Sequence, residues 1–270
     1  MAERGFTLIE AVIVLAVLGI LGAASIKLLM TQDRFYSRID HATLAQQNVR
    51  AAADLVSAEL RMSGPDDVLA ARPDSVSVRF DVYQAVVCEQ TGGNGVYVFV
   101  YDSVPNPNIA GGMTGTAWSD PYSSTYEYAD GWTGTMSMGG AAKTTCVANG
   151  SPNLTQNSLY RMVSGWSGNF PSGVPTRGSI VRRYRQLTYR FAPSGMGNGT
   201  ALFRGPVELV SPLDPASSFS YVMAGGGVQS SVSPGQLGNI RAVRINAIAV
   251  DEDPRFDLQR TLQFDIPLRN

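Results

Sequence analysis

Gly5-Phe6-Thr7-Leu8-Ile9-Glu10 opens the stretch on which the fold turns, and an apolar run follows it as far as Leu29. From Phe6 to Met30 only Glu10 and Lys27 are charged. About 20 apolar residues in a helix suffice to cross a bilayer. Glu10 is the anomaly, because a carboxylate within a membrane segment costs about 2–3 kcal/mol even on lenient insertion scales. Such a group is a functional candidate for which a partner is expected.

The helical pattern does not stop where the apolar run ends. Phe35, Ile39, Ala42, Gln46, Val49, Ala53, Val56 and Leu60 alternate in spacings of four and three, with only Gln46 polar. That is the period, about 3.5, of one stripe along a helix. Proline is absent from Met1 to Gly64, and Ser63-Gly64-Pro65 supplies a glycine past the end and a proline beyond it. One helix over residues 6–62 is therefore expected. Its first part, 6–30, would lie in lipid, and its second would lay the stripe on a globular head. Gly19 and Gly22 are the expected points of loosening, since each weakens a helix by about 1 kcal/mol relative to alanine.

After Pro65 the period changes to two. Val76, Val78, Phe80 and Val82 alternate with polar residues. Val96 to Tyr101 is apolar on both faces, as a central strand would be. Further strands are expected at Leu159 to Val163, Ile180 to Phe191, Ala201 to Phe203, Val207 to Val210 and Phe219 to Met223. A closing hairpin is clearest: Val243, Ile245, Ala247 and Ala249 line one strand, and Leu258, Leu262, Phe264, Ile266 and Leu268 line the next. Pro267 suggests that this last strand is an edge. The fold class is α+β, a long N-terminal helix with a transmembrane first half packed on an antiparallel β-rich head at 63–270. About 210 residues remain for that head, enough for a real core.

Residues 104–157 break the pattern, with glycine, serine, threonine and the rings Trp118, Tyr122, Tyr126, Tyr128 and Trp132. So long a stretch without a period is often functional, and such rings suit a partner-binding loop. The competing and favoured reading is an irregular insertion whose rings cover the core. Cys88 and Cys146 are the only cysteines, and in an exported domain an even pair reads as a disulfide.

Gly5-Phe6-Thr7-Leu8-Ile9-Glu10 followed by an apolar helix resembles the type III signal of type IV pilins and type II secretion pseudopilins. The resemblance implies cleavage of a leader, residues 1–5, by a prepilin peptidase after Gly5. It implies N-methylation of Phe6 and pairing of Glu10 with a neighbouring subunit's N-terminal amine during assembly. Leu187-Thr188-Tyr189-Arg190-Phe191, Ala201-Leu202-Phe203-Arg204, Val243 to Val250, Leu268-Arg269-Asn270 and Glu59-Leu60-Arg61-Met62-Ser63-Gly64 look like minor pilins of the PilW type and GspJ pseudopilins. The expected role is a minor pilin that initiates or caps a type IV pilus. Partners would be major and minor pilins or pseudopilins, the prepilin peptidase, the inner-membrane assembly platform and membrane lipid. The head would be periplasmic and the assembled filament would reach the cell surface. Many major pilins carry a proline in the apolar segment, and this chain has none. Two other roles stay open: a pseudopilin serving protein export, and a membrane-tethered binding or adhesion protein. A secretory signal peptide ending near Gly22-Ala23-Ala24-Ser25, or a plain anchor, fits Glu10 badly.

Other chemistry has little support. The only histidine, His41, sits in the helix and reads as a solvated residue, and no hydrolase, zincin or phosphate-loop motif occurs. No cofactor is expected. Arg177, Arg182, Arg183, Arg185, Arg190 and Arg204 have no acid between them, but a net charge of −1 argues for salt bridges over nucleic acid. Asp251, Asp253 and Asp257, with Glu252, offer hard oxygens for calcium, yet their spacing is no EF-hand and a structural turn is favoured.

Overall fold

The computed structural model describes residues 8–91, 95–100, 115–119, 125–131, 135–138, 144, 146, 148, 159–163, 175–197, 199–250 and 259–269. Helix α1 (Leu8–Leu60) is followed by β1 (Val68–Ala71), β2 (Ser75–Thr91), β3 (Gly95–Val100), β4 (Gly115–Ser119), β5 (Glu127–Asp130), β6 (Thr135–Met138) and β7 (Leu159–Val163). The second half adds β8 (Ile180–Pro193), β9 (Thr200–Arg204), β10 (Val207–Leu213), β11 (Ser218–Met223), β12 (Val228–Gln229), β13 (Ile240–Val250) and β14 (Gln259–Pro267). All strands join one antiparallel sheet, in the order β12-β11-β13-β10-β9-β8-β2-β3-β7-β6. β14 flanks β13, β1 flanks β2, and β4 pairs with both β8 and β5. The α+β reading with an antiparallel head therefore holds.

Helix α1 runs unbroken through Gly19 and Gly22. Its end is set by proline chemistry. Arg61 N–H still reaches the Ser57 carbonyl at 3.0 Å, but Met62 and Ser63 bond three residues back, to Glu59 and Leu60. Gly64 is extended (φ −85°, ψ 171°) and not left-handed, because a residue preceding proline is pushed out of the helical region. A 3-10 turn, Pro65–Asp67, then leads into β1.

The stripe is buried only where the head can reach it. Phe35 is 61% exposed and Ile39 is also open, Ala42 and Gln46 are half covered, and Val49 falls to 3%. Contact with the head thus begins near Ala42, later than the stripe itself. From there α1 packs on β10, β13, β14 and β2. Val49, Ala52, Val56 and Leu60 join Val76, Val78, Tyr189, Phe191, Leu213, Ile245 and Ile266 in one core.

Strand alternation works as expected over the described part of the C-terminal hairpin, Leu258 lying outside the described residues. Val243, Ile245, Ala247 and Ala249 are all buried, and Ile245 faces Phe264 across the β13–β14 ladder. β14 pairs only with β13 among the described strands, so Pro267 does close an edge. β3 lies between β2 and β7, as a strand apolar on both faces should. After β11, Val232 bridges back to Ala71 and Pro234–Asn239 forms a 3-10 helix.

The stretch 104–157 differs from its reading as irregular, since β4, β5 and β6 lie within it. Strands of four or five residues are too short to display a period. β4 is buried at every position, which erases alternation altogether. Gly115 is required there, because a Cβ on it would collide with the Tyr184 ring. The stretch is also tied down covalently, for Cys88 of β2 is bonded to Cys146 across a separation of 58 residues. Closing such a loop stabilises by about 4 kcal/mol on the chain-entropy account.

Leu60→Ala should destabilise the head by about 2–5 kcal/mol, because Leu60 is fully buried in the core shared by helix and sheet. Leu15→Ala, on the exposed part of α1, should shift it by less than about 0.5 kcal/mol. Denaturant unfolding of both variants checks the contrast.

Candidate assembly surface

Leu8 to Met30 is apolar on all sides of α1, and its large side chains are exposed all round. These 23 positions span about 35 Å at helical rise, against about 30 Å of bilayer hydrocarbon. Among the described residues α1 is the one helix long and apolar enough to cross a membrane. Glu10 lies in its first turn. A negative charge is favoured there by the helix dipole, and an exposed apolar helix is on every side open to lipid or to other helices. Gly5 and Phe6 lie outside the described residues.

At its other end the helix is attached by charge. Glu59 accepts from Arg204 of β9 through Nε at 2.8 Å and Nη2 at 2.5 Å, and from the Tyr189 hydroxyl of β8. Burial would raise the Glu59 carboxyl, but the bonds from Arg204 and Tyr189 and the charges of Arg204 and Arg185 outweigh it and hold it below the ordinary glutamate range. Burial and the Glu59 carboxylate together push the Tyr189 hydroxyl up.

A second ionic group lies on the other face of β8. Arg182 is 2% exposed and bound by two carboxylates, Asp67 at 2.9 Å and Asp81 at 2.8 Å. Asp67 also accepts from the Gly64 N–H at 2.8 Å and the Tyr128 hydroxyl at 3.1 Å, so it joins the helix exit to the sheet. Burial alone would lower the Arg182 guanidinium; hydrogen bonds and charge from Asp81 and Asp67 push it up instead. Beside it Arg79 grips Asp130 of β5 at 2.9 Å, and the Tyr184 hydroxyl donates to Asp130 at 2.7 Å. The Arg79 bond, against opposing burial, draws the Asp130 carboxyl below its usual range.

These contacts locate the aromatic residues singled out from the sequence. Trp118 is buried in β4 at 4% exposure. The Tyr126 ring lies under the Arg182 guanidinium at 4.5 Å and the Tyr128 ring under Arg79 at 4.1 Å. Trp118 is thus inside the head, while Tyr126 and Tyr128 are half-buried rings lying over its ionic centre. Tyr122 and Trp132 lie outside the described residues, as do Asp251, Asp253 and Asp257. Among the described residues no group of histidine, cysteine or acidic side chains could hold a metal ion. The arginines are also dispersed. Arg182 and Arg183 are buried, Arg204 is held by Glu59, and Arg190 lies over the Phe203 ring. His41 is exposed on α1.

Sequence reading missed the partners Glu59, Asp67, Asp81 and Asp130. One signal was available for Glu59. It is an acid in the last turn of a helix with no basic residue there, which opposes the helix dipole.

Residues 1–26 match the family profile of the prokaryotic N-terminal methylation motif. The motif supports a type IV pilin-like or pseudopilin protein, whose kind are structural subunits that interact with other pilins and with a prepilin peptidase. With the apolar helix it indicates membrane anchoring. No curated protein and no solved structure matches the chain.

Arg182→Met should cost about 3–5 kcal/mol, because Asp67 and Asp81 would be left buried without their cation. Adding Asp67→Asn and Asp81→Asn should recover part of that loss in thermal or denaturant unfolding. Acid should act on the carboxylates whose folded pKa is depressed, Glu59 and Asp130 among them. Their stabilisation is complete above the ordinary carboxylate range and is lost as pH falls through the lower folded values. Unfolding midpoints should therefore drop on acidification below that range. Glu59→Gln and Asp130→Asn should each flatten the dependence.

Proposed function

We propose that the chain is a minor pilin-like subunit of the PilW or GspJ kind, which initiates or caps a type IV pilus after prepilin peptidase cleavage at Gly5. The observation that carries this reading is Glu10 in the first turn of a helix that is apolar all round and exposed over its first half, within a stretch matching the methylation motif. Cleavage would free the Phe6 amine, which stays cationic when methylated. Within apolar surroundings a lone carboxylate and a lone amine are each costly, by about 2–3 kcal/mol on insertion scales. Pairing Glu10 of one subunit with the Phe6 amine of the next removes both penalties and sets the axial stagger between helices. The apolar side chains of Leu8 to Met30 supply the remaining contact area.

In this reading residues 6–30 are anchor and filament core, and 63–270 form a periplasmic head. The Cys88–Cys146 bond suits an oxidising compartment outside the cytoplasm. A type II secretion pseudopilin would use the same helix and the same Glu10 contact. Loss of surface pili on deletion favours the pilus, and loss of protein export favours the secretion system.

Glu10→Ala is expected to insert in the membrane and to be processed to a Phe6 terminus, yet to assemble poorly. N-terminal sequencing reads the first outcome, and recovery of sheared filaments or co-purified pilins reads the second. Unchanged assembly in that variant would sink the mechanism.

A further inference from the structure

Apolar packing alone leaves the register of α1 on the head open; Ser63 and Gly64 tie the helix exit to Arg79, Arg269 and Asp67, and Glu59 acts one turn before them. The contact is a stripe of Ala42, Ala45, Val49, Ala52, Ala53, Val56 and Leu60, several of them alanine. Apolar burial is non-directional. A stripe with helical periodicity also comes close to matching itself after a slide of three or four residues, about 5 Å of rise. By burial alone, the helix could sit on the sheet at more than one height.

Glu59 breaks that degeneracy. Its side chain is 14% exposed, and its carboxylate is held by two strands at once, Arg204 from β9 and Tyr189 from β8. The arginine grips it through two nitrogens, an arrangement that fixes orientation as well as distance. A slide of three, four or seven residues toward the C-terminus would present Val56, Leu55 or Ala52 to Arg204, none of which can accept a hydrogen bond through its side chain. A partly buried polar group that specifies register is a well-attested use of such contacts. Glu59 also sits at the end of α1 where the helix dipole disfavours an acid, a local conflict of the kind found at sites retained for another reason.

We propose that Glu59, Arg204 and Tyr189 form a register pin that fixes the height and rotation of the head on helix α1. The pin rests on the assembly reading for its purpose. Glu59 follows Glu10 by 49 residues, about 74 Å along a straight helix. It therefore sets how far each head stands from the Glu10 contact, and so which parts of successive heads meet. All three are positioning residues; none touches a neighbouring subunit in this scheme.

The test is a pulsed-EPR distance in the full chain, in detergent, between nitroxides on Asp33→Cys, beyond the head on α1, and Gln263→Cys on β14, both exposed. The parent protein should give one narrow distance. Glu59→Ala and Arg204→Ala should each add a population displaced by about 5 Å, and lose incorporation with pilin-like partners in the native membrane. The charge swap Glu59→Arg with Arg204→Glu should draw the distribution back toward the parent. If the alanine variants fail to fold, Tyr189→Phe removes one hydrogen bond and little packing, and should still broaden the distance. An unshifted distance in a folded Glu59→Ala head, or in Tyr189→Phe where the alanine variants unfold, overturns the pin even if the melting temperature falls. Failure of the assembly reading would look different. The parent and Glu10→Ala would then show the same absence of pilin-like partners, while the distances stood as before.

Discussion

The apolar surface of α1 has to leave water twice, by two different means. From Ala42 to Leu60 one stripe of the helix is covered by the sheet of its own head. From Leu8 to Met30 the head never reaches, and the helix is apolar on all sides. That half is too large an exposed apolar surface for a soluble monomer, and lipid or other helices must supply what the sheet does not. One element thus serves two solvents. The boundary between them falls in the ten or so residues around Gln32 to His41, where charged side chains cluster.

Much of this was legible from local pattern. The stripe is visible in the spacing, and the alternation of Val243, Ile245, Ala247 and Ala249 gives the buried face of β13 directly. Phe35 and Ile39 mark the limit: periodicity shows that a face is apolar but not how far the covering element extends. The strands β4, β5 and β6 were hidden because they are short, and because β4 is buried on both faces. The ionic contacts were hidden for a different reason. Asp67 and Arg182 are 115 residues apart, and Glu59 and Arg204 are 145 apart. No pattern within a window of helix or strand length connects them. Residue type alone left the aromatic residues near 118–128 between outward contact and core cover; Trp118 is buried and Tyr126 and Tyr128 lie against guanidinium groups.

Strand parity explains why the head keeps two separate ionic groups. Along β8 Arg182, Tyr184 and Gln186 project to one face, where Asp67, Asp81 and Asp130 wait. Leu187, Tyr189 and Phe191 project to the other, into the core beneath α1. A slip of β8 by one residue would exchange these faces. A slip that brought Val181 to the place of Arg182 would leave Asp67 and Asp81 buried without a cation, whereas the opposite slip would put Arg183 there. Removing one partner of a buried pair costs far more than the pair itself contributes. The Arg182 group therefore penalises the slip that brings in Val181 strongly even if it adds little to net stability. Glu59 stands to the helix as Arg182 stands to the strand. In both, apolar contacts supply most of the burial while a partnered charge decides between placements that burial alone would leave nearly equal.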